Sequence, residues 1–148
     1  MGYLFLAGLS AAGFLASLVC HIMGWMLIEP PLGKAVFLLH AGIFVVWFPL
    51  VIFANQTKPS KEGGNMAHLI AELPTWMRVA GGFLVFYTII NFIYFLICTS
   101  KYPKNGVPFL LELRGFSGHW MLFYGFALAG FVALSRLARK RRSDQTVA

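Results

Sequence analysis

Charge is scarce in this chain, and acidic charge scarcest of all. Charged residues make up 11% of the 148, with only five acidic side chains, against about 25% charged in ordinary soluble domains. So little charge, beside 59% hydrophobic residues, cannot cover a water-facing surface. It leaves no room for a separate soluble catalytic module, and residues 1–148 read as one domain. No Asp or Glu falls inside any long apolar run. This excludes a carboxylate-driven proton exchanger of the small multidrug type, which needs an acidic group within the membrane. Cysteine is rarer still, with two residues. Cys20 and Cys98 form no CxxC pair, which excludes a thioredoxin-like motif and the cysteine pair of a quinone-linked disulfide enzyme. Their expected depths differ by about 9 Å at 1.5 Å per residue, so both read as small buried hydrophobes. Serine-hydrolase and phosphate-loop signatures are missing as well.

Four long apolar runs take up what remains, at residues 3–28, 34–54, 76–99 and 115–137. Each can cross a hydrocarbon core of roughly 30 Å. Only helices and closed barrels satisfy their backbone polar groups in lipid, and runs of this length are helical. The expected fold is an all-α, integral membrane four-helix bundle. The first run lacks a positive n-region and is longer than the roughly 7–15 residues of a signal h-region, so it reads as an uncut span.

The net charge of +7 is concentrated rather than spread. Arg136, Arg139, Lys140, Arg141 and Arg142 cluster where the fourth run gives way to the tail at 138–148. No aromatic–basic interleaving accompanies them, so the partner implied is anionic lipid rather than nucleic acid. Lys58, Lys61 and Arg78 share that side, while Lys34, Lys101, Lys104 and Arg114 lie opposite. The bias puts both termini in the cytoplasm. Short loops without sorting signals make a bacterial inner membrane the simplest location.

Helical spacing then sorts the faces. Gly13, Ser17, Cys20 and Gly24 form a small-residue stripe on span one, and Gly118, Gly125, Ala129 and Ala133 form another on span four. Such stripes let helices approach closely in lipid. On span two Val36, His40, Phe44 and Trp47 share a face, and Pro49 is expected to kink the helix. Span three has the most polar face, with Thr88, Asn91 and Cys98 aligned and Tyr87 and Tyr94 alongside. Asn91 should point into the bundle as interhelical glue. Between spans two and three, Met66–Leu73 reads as a short interfacial helix capped by Asn65 and ended before Pro74. His68 on it reads as a surface histidine. Phe109, Leu110 and Leu111 are expected to dip into the interface ahead of span four.

His21, His40 and His119 lie about 12, 9 and 7 Å inside the same end of their spans at 1.5 Å per residue. Ionisable groups at such depth are costly and call for a reason. Three readings follow. In the first, the protein is a non-enzymatic membrane component, an accessory subunit, scaffold or self-associating bundle, whose histidines bond neighbouring helices. In the second, two histidines bind a b-type haem or another metal, with Gly24, Gly42, Gly118 and Gly125 as low walls and Arg114 or Lys34 near the propionates. In the third, a quinone or other amphiphile lies between Trp25, Trp120 and Tyr94, its head bonded by a histidine or Asn91. Glu29, Glu112 and Arg114 at the rim read as a solvated salt bridge. The first reading is preferred.

Overall fold

A computed structural model of the chain describes residues 2–56, 65–103 and 106–147. Lys58, Lys61 and Lys104 fall outside them. Among the described residues five α-helices follow one another: α1 (Gly2–Trp25), α2 (Leu38–Asn55, entered through a 3-10 turn at Gly33–Phe37), α3 (Asn65–Ala71), α4 (Thr75–Thr99) and α5 (Phe109–Val147). All but α3 are long and apolar enough to cross a membrane. The protein is an all-α integral membrane four-helix bundle.

The boundaries differ from the hydropathy pattern where local backbone chemistry overrides it. Span one stops at Trp25, three residues early, because Leu27 turns left-handed (φ 57°) and Ile28 N–H reaches back to the Met23 carbonyl at 2.9 Å. This is the Schellman arrangement that glycine commonly supplies. Span four begins earlier than its apolar run, at Phe109. The Pro108 carbonyl accepts from Leu111 and Glu112 N–H at 3.0 and 3.1 Å, and Glu112 in the first turn suits the positive helix end. Phe109, Leu110 and Leu111 therefore belong to the helix itself rather than to the loop before it. At its other end α5 carries the basic tail onward without a break. Pro49 sits inside a continuous α2.

α5 is the axis of the bundle, and α1, α2 and α4 each pack chiefly against it. Leu113, Trp120, Ala127, Phe131 and Ala133 of α5 have no exposed surface. The α1 stripe does what its spacing predicts: Gly13, Ser17, Cys20 and Gly24 are all buried. A Cβ on Gly24 would stand 3.2 Å from the Arg114 backbone, so this glycine sets how close α1 comes to α5. The tightest contact is at Tyr124. Its ring fills the notch of Gly13 on α1, its hydroxyl fills that of Gly42 on α2, and that hydroxyl donates to the Leu39 carbonyl at 2.8 Å.

On α2 the buried face is Ile43, Val46, Leu50 and Ala54. His40 and Trp47 sit on its half-buried shoulder and Phe44 is exposed. Of the 25 residues of α4 only Thr88 and Asn91 are buried. α4 thus holds to α5 through its upper, polar half. Below that, near the end carrying the chain termini, α3 packs against α2 and α5 with Leu69 buried. Arg136 Nη1 donates to the Glu72 carbonyl just beyond it at 2.9 Å.

Candidate functional site

The three deep histidines do not form one layer of facing rings. At about 100° of turn per residue, Ser117 and Gly118 of α5 point away from Phe116, His119 and Phe123. His21 lies on the first of these sides and His40 on the second.

On the first side α1, α4 and α5 meet. The His21 imidazole, 5% exposed, places Nδ1 2.9 Å from Ser117 Oγ. Its Nε2 accepts from Trp25 Nε1–H at 3.0 Å and also meets the Tyr87 hydroxyl. With Nε2 an acceptor, the ring proton resides on Nδ1 and is donated to Ser117. Ser117 in turn donates to the Arg114 carbonyl at 3.3 Å. Both ring nitrogens are therefore engaged. Just beside them, Thr88 donates to the Gly118 carbonyl at 3.3 Å. Asn91 Nδ2 donates to the carbonyls of Arg114 and Gly115 at 3.2 and 3.4 Å. Gly118 leaves the space that the Asn91 amide occupies. Asn91 is 4% exposed, and its Oδ1 is buried without a hydrogen-bond partner among the described residues.

Towards the rim, the Arg114 guanidinium lies 4.3 Å from the Trp25 ring centre and 4.5 Å from that of Tyr94. The two rings stack at 6.0 Å. The aromatic pair, not Glu29 or Glu112, holds this cation. The expected rim salt bridge is thus replaced by cation–π contacts to both rings of the pair.

On the second side, the His40 and His119 rings lie 5.9 Å apart and nearly parallel, at 20°. Trp120 Nε1 donates to His40 Nδ1 at 3.1 Å. His119 packs on Phe123 at 4.7 Å between centres, and among the described residues it makes ring contacts only. Trp47 Nε1 donates to the Phe123 carbonyl at 3.0 Å.

His21 and His40 do not suit a haem's axial pair, and His119, with neither nitrogen hydrogen-bonded among the described residues, leaves a single available imidazole. An imidazole that ligates metal donates its other N–H outward, whereas His40 Nδ1 accepts and both nitrogens of His21 are taken. The low walls are filled as well: Gly24 faces the Arg114 backbone, Gly42 the Tyr124 hydroxyl, Gly118 the Asn91 amide, and Gly125 meets Leu84 and Phe14. Among the described residues no three His, Cys, Asp or Glu side chains are grouped to hold a metal ion. The aromatic walls expected for an amphiphile do not share a cavity either. Trp25 and Tyr94 grip Arg114, while Trp120 is fully buried on the α2 side.

Thr88 and Asn91 thus sit in the bundle interior, where the polar pattern of span three puts them, whereas Tyr94, expected beside them, is 44% exposed and faces Arg114 and Trp25 at the rim. Ser117 and Tyr124 were hidden inside an apolar run. The sequence signal for Tyr124 is the pair of notches, Gly13 and Gly42, on two other helices. No family model, curated protein or solved structure matches the chain.

Proposed function

We propose that this protein is a non-enzymatic component of a membrane assembly, in which the intramembrane polar groups join helices and serve no reaction. The observation that carries this reading is His21. Both of its nitrogens are committed, to Ser117 on one side and to Trp25 and Tyr87 on the other, so the imidazole links three helices and offers no free nitrogen.

The α1 stripe, with Gly118 and Gly125 of the α5 stripe, is taken up in packing α1, α4 and α5 together. One small-residue step remains outward on α1: Gly8 and Ala12 are exposed, four residues apart, and a Cβ on Gly8 would touch nothing within 4 Å. Such a step is where a second transmembrane helix can pack closely. The excess of Arg and Lys at the end with the termini favours both termini in the cytoplasm, most simply of a bacterial inner membrane. The experiment is extraction from native membranes in mild detergent, followed by sizing and mass spectrometry. The reading expects a stoichiometric assembly, with itself or other membrane subunits, that Gly8→Leu weakens. A lone monomer unaffected by Gly8→Leu would overturn it.

A further inference from the structure

The lower half of α4 stands away from α2, and between them lies a cavity of about 350 Å³. Trp47 and Leu50 of α2 form one wall and Met77, Gly81, Gly82 and Val85 of α4 the other. Phe126 and Gly130 of α5 make its floor, and Leu69, Ile70 and Leu73 of the α3 segment close its end. The lining is apolar with one exception. Among the described residues Arg78 is the only charged one in the lining, located in the first turn of α4, where the chain enters the membrane. Arg78 donates one N–H to Thr75 Oγ1 at 3.2 Å, and the remaining guanidinium donors have no acidic partner among the described residues.

We infer that this cleft is a binding site for an anionic phospholipid of the leaflet at the terminal end, with one acyl chain lying between α2 and α4 and the phosphate on Arg78. Three features select that occupant. The walls belong to membrane-crossing segments, so hydrocarbon rather than water borders the opening. The volume falls in the roughly 300–1,000 Å³ range of small-molecule sites. The single cation among the described lining residues stands where α4 begins its span, as a chain-and-phosphate ligand requires, and among the described residues no carboxylate lines the cleft to repel an anion. A neutral quinone would use the apolar walls but leave Arg78 without a counter-charge. The inference extends the proposed role and does not depend on it: an assembly subunit can hold a lipid, and an isolated bundle can too.

Two glycines make the test clean. A Cβ on Gly82 meets nothing within 4 Å, and one on Gly81 meets only Phe126, at 3.7 Å. A leucine at either position therefore enters the cleft without disturbing the backbone. The full-length protein is delipidated in detergent, then titrated with phosphatidylglycerol or phosphatidylcholine of identical acyl chains, and lipid adducts are read by native mass spectrometry. Phosphatidylglycerol is expected to bind at least about five-fold more tightly, the worth of one interfacial basic residue. Arg78→Gln should erase that preference while leaving weak chain binding. Gly81→Leu and Gly82→Leu should abolish the adduct of both lipids, with unchanged helicity and elution. Equal affinity for the two lipids, a preference that survives Arg78→Gln, or an adduct that survives both leucine variants would each overturn the assignment. So would exclusion of phosphatidylglycerol by an added neutral quinone at equal concentration.

Discussion

Replacing the deep histidines one at a time by alanine should produce a graded, unequal loss of stability. His21→Ala removes two interhelical contacts, to Ser117 and Tyr87, and one within α1, to Trp25. Interhelical hydrogen bonds in membranes average about 0.6 kcal/mol each and reach about 1.7. The two together come to about 1.2 kcal/mol, to which the buried volume of the ring adds. His40→Ala removes one hydrogen bond, from Trp120, so about 0.6 kcal/mol on the same scale, and it leaves the buried Trp120 N–H unpaired. His119→Ala removes no hydrogen bond, only ring contacts with His40 and Phe123. The assay is reversible unfolding in mixed micelles, followed by helicity and tryptophan fluorescence. The order of cost should be His21, then His40, then His119. A shared ligand would make its histidines equally indispensable. Equal losses at His40 and His119, both exceeding His21, would refute the reasoning.

Five further outcomes follow, four from the packing and one from the charge bias. Gly13→Ala should cost about 1–3 kcal/mol, the usual penalty of overpacking, because Tyr124 fills the notch and is anchored to Leu39. Gly8→Ala, with open space around it, should be neutral or stabilising in the same unfolding assay. Leu27→Gly should raise stability by up to about 1 kcal/mol, since a left-handed leucine is strained and this one is exposed. Arg136→Ala should speed amide hydrogen exchange in α3, whose C-terminal end it caps through Glu72, and leave the spans protected. A reporter fused after Ala148 should mature only in the cytoplasm, and activity on the opposite side would reverse the orientation.

The fold was legible because lipid imposes a length and a pattern that few sequences meet by chance. The α1 stripe and the inward face of α4, Thr88 and Asn91, could be read from periodicity, since small or polar residues in a span must face protein. Span ends were less legible. The cap at Leu27 uses a residue that gives no left-handed signal, and the early start of α5 depends on the Pro108 carbonyl. The grouping of the histidines was not legible at all. Depth follows from counting residues, but rotation about each helix axis follows from packing, and one residue of offset on α5 separates the His21 side from the His119 side. The cavity escaped for a related reason: it is the gap left where α4, fixed at its upper half, diverges from α2, and no single residue encodes a gap. Its walls include Gly81 and Gly82, whose spacing matches neither stripe.

His21 and His40 tie helices together by hydrogen bonds, and His119 adds ring contacts alone. The most direct test is the visible spectrum of the purified protein, oxidised and then dithionite-reduced, from cells amply supplied with haem. The account predicts no Soret band and no change on reduction, with a folded protein that His21→Ala destabilises. A Soret band with sharp α and β bands on reduction, lost in His40→Ala or His119→Ala, would contradict it.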